Sequence, residues 1–256
     1  MSSPIESIDA AIDAMDNEVD RCLDCGDASG YFTVVYRAVT QRVRDGFAAG
    51  EFADGEQMER FDVLFAQRFL DARNAWNSGS PDVPASWRLA FETAQRRHCL
   101  VAQHLLLGIN AHINLDLGVA AAAAAPPGEV DALRDDFETI NDVLAELVDR
   151  MQASLAAVSP WTRWVDVAGL RFDEALVTFS LRRARADAWD FATRLSSAAP
   201  DERRRLEVQR DAEVASLGAR IARPGFPVRW VVSAAQRRER HDLGSVIAGL
   251  EVRSDP

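Results

Sequence analysis

Apolar residues recur at steps of three and four along most of this chain. Residues 5–23 carry Ile5, Ile8, Ile12, Met15, Val19 and Leu23 on one stripe. Residues 55–76 repeat the pattern through Met58, Phe61, Leu64, Phe65, Phe69 and Trp76. Residues three and four apart share one face of an α-helix, so the period predicts amphipathic helices. Similar stripes predict helices from Asp27 or Ser29 to Gly46 or Gly50, from Pro84 onward, and over 129–157, 171–197, 200–222 and 227–251. The breaks carry loop chemistry: "NSGSPDVP" at 77–84, Pro126-Pro127, and "SPWTRWVDVAG" at 159–169. Proline suits a first helical turn and cannot continue a helix interior. The expected architecture is all-α: a single domain over 1–256, a bundle of about seven to nine helices around a buried central helix at about 100–120. The 5–23 helix is the member placed closest to the periphery.

One stretch breaks the pattern. In "LLLGINAHINLDLG" (105–118), apolar and non-apolar residues alternate from Leu107 onward. Taken literally this is a strand with one polar face, but the chain offers no partner strands. Read as a helix, His104, Gly108, His112 and Asp116 form one drifting row, with Asn110 and Asn114 in a second row on the opposite side. Every other position is Leu, Ile or Ala, so the helix is apolar nearly all round and belongs in the core. Its polar side chains then need partners inside the protein, because a buried unpaired amide or imidazole costs about 1–3 kcal/mol.

Those residue types are the ones that build sites. His112 and Asp116, four apart, can aim a ring nitrogen and a carboxylate oxygen at one point, a spacing suited to zinc or another divalent ion. Further ligands must then come from elsewhere: His98, His241, or acids such as Asp136, Glu138, Asp142, Asp166, Asp187 and Asp190. Without metal, the pair is a buried hydrogen-bond network or an acid–base pair. A histidine beside a carboxylate can act as a general base near neutral pH. His104 joins them as a catalytic candidate, and Asn110 and Asn114 as substrate-orienting groups. On the 171–197 helix, Arg183, Asp187 and Asp190 recur at four and three with Trp189 beside them. Arg183 and Trp189 are candidates to meet the central helix at a shared cavity, and surface ion pairing is the simpler alternative.

Composition narrows the setting. The 29 basic residues are all Arg, with no Lys, against 40 acids of which 25 are Asp, for a net charge of −11. At about 1 M salt the Debye length is about 3 Å, so crowded carboxylates repel little and stay hydrated. An acidic, Lys-free surface is therefore the expectation for a halophilic protein. The same balance excludes nucleic acid, which needs a net basic field to release counterions. No basic, apolar leader opens the chain and no uninterrupted apolar run reaches membrane-span length, which predicts a cytoplasmic protein without a membrane span. Cys22 and Cys25 form a lone C-x-x-C with no second pair, and are expected to be ordinary helix-end cysteines.

"QHLLLGINAHINLDL" (103–117) resembles the signature of an uncharacterised domain-of-unknown-function family of actinobacteria and haloarchaea. The resemblance extends to "DFETIND" (136–142), "RARADAWDFATRL" (183–195) and "RERHDLGSVIAGL" (238–250). It implies no reaction. A fainter similarity links the H-x-x-x-D pair to the helical zinc-dependent phospholipases C and single-strand nucleases, which use several such pairs where this chain has one. The expected function is an enzyme, hydrolase-like and metal-dependent if the pair holds an ion, acting on a small or lipid-like molecule. The alternative is a non-catalytic ligand- or partner-binding protein whose buried polar residues are structural.

Overall fold

The computed structural model describes residues 4–96, 99–125, 128–140, 181–226, 228–236, 239 and 242–251. The expected helix at 129–157 and the connector at 159–169 fall mostly or wholly outside them. So do His98, His241, Asp142 and Asp166. No strand occurs among the described residues; the fold is all-α.

The helices begin and end where local chemistry satisfies their terminal groups. Ser7 caps α1 (Ile8–Cys25) by accepting from the Ala10 N–H, and Gly26 closes it in the left-handed conformation at φ 70°. Gly50, at φ 71°, ends α2 (Gly30–Ala49) in the same way. Asp54 caps α3 (Gly55–Asn77) through the Gln57 N–H. Each such cap satisfies one or two of the four N–H or four C=O groups that a helix end leaves open.

The sequence pattern runs from Pro84 straight into the 104–116 stretch, but the chain breaks there into α4 (Ala85–Ala94) and α5 (Val101–Ala124). The reason lies at the start of α5. The Gln103 side chain accepts from the Leu100 N–H at 3.1 Å, and Glu239 accepts from the Val101 N–H at 3.0 Å. Beyond 181 come α6 (Leu181–Ser197) and α7 (Pro200–Ala222), the latter with Pro200 in its first turn. The single helix expected at 227–251 is two, α8 (Val228–Gln236) and α9 (Leu243–Leu250), because Asp242 caps a new start by accepting from the Ser245 N–H at 3.0 Å.

Helix α5 is the centre. Helices α2, α3, α4, α6 and α7 all pack against it. It is 24 residues long and apolar enough to cross a membrane by length and composition, yet 83% of its most apolar window is buried under other helices. A search for uninterrupted apolar runs passes over it because Asn, His and Asp punctuate the stretch. Glycines set two of the contacts. A methyl on Gly108 would fall 2.4 Å from the Phe32 ring on α2, and one on Gly118 would fall 2.7 Å from the Ala188 carbonyl on α6. Both are inside van der Waals contact, so only glycine permits these approaches. The main apolar core runs from Ile8 to Ile221 and includes Ala11, Ile12 and Met15 of α1.

Beside the core, at the α1–α3 contact, lies a buried ion cluster. Arg73, 1% exposed, donates to Glu18 and to Asp27, the latter at 2.6 Å, and its guanidinium covers the Phe91 ring at 4.9 Å. Burial works against its charge, but Asp27 and Glu18 hold the guanidinium above its ordinary value. Cys22 lies in the same cluster, its thiol pushed up to about 12 by burial and by Glu18. Cys25 is exposed and unpaired with it.

Candidate functional site

The middle of α5 is not α-helical. His112–Asp116 forms a π turn, closed by the Leu117 N–H on the His112 carbonyl. Single π turns inside α-helices are rare and concentrate at functional sites. This one coincides with the stretch whose alternation resists assignment in the sequence.

The two polar rows face different neighbours. Asn110 donates to the Val214 carbonyl at 3.0 Å and accepts from Asn114 at 3.0 Å; Arg210 donates to the Asn114 carbonyl at 2.7 Å. Gln103 adds a bond to the Ile221 carbonyl at 2.8 Å. This row fastens α5 to α7.

The other row carries His112 and Asp116, which the structure brings together. The Asp116 carboxylate accepts from His112 Nδ1 at 3.2 Å, from Trp87 Nε1 at 2.8 Å and from Arg68 Nε at 3.2 Å. Three donors converge on one buried carboxylate, so it is held in place and holds the imidazole in turn. An ionised carboxylate only accepts, so Nδ1 carries the hydrogen and Nε2 presents its lone pair. Nε2 is buried and has no hydrogen-bond partner among the described residues. Phe65 stacks on the ring with centroids 3.6 Å apart and planes 8° apart, and Tyr36 meets its edge at 4.2 Å. Burial lowers the His112 pKa and outweighs the opposing effect of Asp116. The imidazole is therefore neutral at pH 7.

His112 lines a cavity of about 100 Å³ between α2, α3, α5 and α6, walled mostly by Val, Ile, Leu and Phe side chains. By comparison with a cavity of about 150 Å³ that holds the six heavy atoms of benzene, it has room for roughly four to five heavy atoms. Three groups interrupt the apolar wall: Tyr36, Asp62 and Arg185. The Tyr36 hydroxyl and Asp62 Oδ2 are buried without hydrogen-bond partners among the described residues. Burial pushes Tyr36 well above its ordinary range. Burial, with Glu59 nearby, pushes Asp62 up to about 7. Arg185 donates to the Phe137 carbonyl at 2.6 Å and lies over the Phe137 ring at 4.2 Å; burial brings it down to about 9.

The remaining sequence candidates lie elsewhere. His104 lines a second cavity of about 240 Å³ with Tyr31, Cys99 and Asp242. Asn110 and Asn114 face α7. Arg183 is exposed. Trp189 packs on Phe137 at 4.8 Å and borders a wide surface groove with Asp187, Asp190 and Arg210. The α6 residues that reach the His112 cavity are Leu181 and Arg185. His112 and Asp116 face each other, and no group of three or more His, Cys, Asp or Glu side chains is placed to hold a metal among the described residues. Asp136 is occupied by the N–H groups of Ala53 and Asp54 at 2.7 and 2.9 Å, and Glu138 pairs with Arg134 on the surface.

A family model described as a family of unknown function, DUF5995, matches residues 8–224. The chain belongs to this family. No curated protein and no solved structure matches it. The DUF5995 match spans α1 to α7 and so includes every residue of the His112 cavity described above. Helices α8 and α9, with "RERHDLGSVIAGL", follow it.

Sequence reasoning passed over Tyr36, Asp62 and Arg185, though two of them left a signal. Asp62 is four residues after Met58 and three before Phe65, on the apolar stripe of α3. Arg185 is three before Ala188 and seven before Ala192, on the buried face of α6. A charge on an apolar stripe marks a buried polar group. Trp87 and Arg68 reach Asp116 only through tertiary packing, and nothing in their local sequence shows it.

Proposed function

We propose that this member of DUF5995 is an enzyme that performs acid–base chemistry on a small, largely aliphatic molecule held in the His112 cavity. One observation carries the reading: His112 is fixed through Nδ1 by Asp116, while its Nε2 is buried without a hydrogen-bond partner among the described residues. A neutral imidazole oriented by a carboxylate is the arrangement of a general base. Asp116, with Trp87 and Arg68, is a positioning group. Among the described residues no third donor joins His112 and Asp116, and the proposed proton transfer uses side chains alone: His112 accepts a proton, and Tyr36 or Asp62 supplies one.

Nitrogen-15 NMR of histidine-labelled protein tests this. At pH 7 the His112 ring is expected to be neutral with hydrogen on Nδ1, and its Nε2 signal is expected to move on titration with 1-butanol or 2-butanone. A doubly protonated ring, or an Nε2 signal that neither compound moves, would sink the reading.

The acidic, Lys-free surface supports a second, environmental part of the proposal: a cytoplasm with concentrated salt. The melting temperature is expected to rise steadily between 0.1 and 3 M KCl at roughly constant pH. A melting temperature that falls or stays level over that range would leave the composition to genome bias.

A further inference from the structure

The His112 cavity contains more polar function than a base requires. Two further residues, Tyr36 from α2 and Asp62 from α3, line the same apolar space, and each carries a buried oxygen without a hydrogen-bond partner among the described residues. Thr40, one turn on from Tyr36, gives its hydroxyl hydrogen to the Tyr36 backbone carbonyl, and its oxygen draws the Tyr36 pKa only partly back against burial. An unsatisfied buried polar atom costs about 1–3 kcal/mol, and folded proteins retain few of them. Three around one cavity, on three different helices, mark a ligand that completes their hydrogen bonds.

The donor and acceptor inventory specifies that ligand. His112 Nε2 can only accept. The Tyr36 hydroxyl donates, and a carboxyl in an apolar pocket keeps its proton and donates as well. One acceptor and two donors on residues lining a single hydrocarbon cavity fit a molecule with one oxygen to receive hydrogen bonds and an acidic hydrogen close to it. We propose that the cavity binds a small aliphatic carbonyl compound, with its oxygen on Tyr36 and Asp62 and a hydrogen on the adjacent carbon facing His112 Nε2, and moves that proton.

This rests on the acid–base reading above and names its substrate class and reaction. The step balances without a cofactor. His112 Nε2 takes the α-proton as the C–H bond breaks, and that electron pair forms the C=C bond of an enol. The carbonyl π pair moves onto oxygen, where the Tyr36 and Asp62 hydrogens stabilise it, and Asp62 can complete the transfer by giving up its proton. Reprotonation at carbon from His112 reverses the path. A carboxylic acid kept neutral by an apolar site is an effective donor to such an oxygen.

Deuterium exchange reads the step directly. Protein in D₂O near neutral pH is incubated with 2-butanone, and deuterium entering C1 and C3 is followed by proton NMR. Exchange well above buffer is expected. His112→Asn, which keeps a donor for Asp116 but has no nitrogen at the Nε2 position, is expected to bring it to background. Tyr36→Phe is expected to slow it roughly 100-fold, the typical cost of losing one oxyanion donor. Circular dichroism checks that both variants are folded. If 2-butanone moves the His112 signal but no exchange exceeds buffer, the carbonyl assignment is overturned and the acid–base reading survives. If exchange occurs but persists in folded His112→Asn, the assignment of the base is overturned. If neither 2-butanone nor 1-butanol moves the His112 signal, both proposals fall.

Discussion

Arg73→Leu is expected to cost the fold about 3–5 kcal/mol, the usual result of removing one partner from a buried ion pair. Arg73 is 1% exposed and carries Glu18 and Asp27, which are 8% and 11% exposed at their side chains. Without the guanidinium, Asp27 loses its cation and Glu18 keeps only Arg21, whose side chain is 40% exposed, at the edge of the helix contact. Leucine fills most of the space but can neutralise neither. The loss of attraction is the smaller part of the penalty; the larger part is the desolvation of the charges left behind. A triple replacement, Glu18→Gln, Asp27→Asn and Arg73→Leu, therefore costs less than the single one, because it removes the stranded charges. Urea unfolding of the two variants measures the order directly. A single variant within about 1 kcal/mol of wild type, or a triple variant less stable than the single, would show that water reaches the cluster.

Asp62→Asn has the opposite sign. Asp62 is pushed up to about 7, so the native state keeps its proton where an unfolded aspartate, at about 3.9, has released it. Below pH 4 both states hold the proton and the group contributes no pH dependence. Between pH 4 and 7 the unfolded state alone gives it up, so stability falls as pH rises; above 7 both are ionised and the loss is complete. The whole interval corresponds to about 4 kcal/mol. Asparagine is neutral throughout and similar in shape. The variant is expected to be a few kcal/mol more stable than wild type at pH 8 and close to it near pH 4. Chemical denaturation at the two pH values separates this from general destabilisation, since other titrating groups are common to both proteins. Parallel stability curves would mean that Asp62 is solvated. A variant gaining stability while losing exchange activity would place Asp62 among side chains retained for function at the expense of the fold.

The fold was legible because its cause is periodic. Met58, Phe61, Phe65 and Phe69 repeat at helical spacing and all are buried. Helix ends were legible where a cap is local, as at Gly50. They were not where a distant residue supplies the cap: Glu239 fixes the start of α5 from 138 positions away, and a helix pattern with no local stop reads as continuous. The candidate site was half legible for the same reason. His112 and Asp116 sit one turn apart on one helix, so their meeting follows from spacing. Tyr36 sits in "YFTVVYRAV", where a tyrosine among valines looks like ordinary core. Eight residues put His104 about 12 Å along the axis from His112, so their separation follows from spacing; that the two line different cavities needed the helix–helix packing.

The π turn also fixes the phase between the two halves of α5. Each residue of an α-helix advances about 100° round the axis. The turn closes over five residues where an α-helix closes over four, so rewinding all of His112–Asp116 as ordinary α-helix would turn everything beyond it by about that angle. Gly118 would leave the Ala188 carbonyl, and a bulkier neighbour would come to face α6. Val101–Ala111 would still present Gly108 to Phe32 and Asn110 to Val214. The central helix is thus two keys cut on one shaft, and the chemistry of His112 sits at the offset between them.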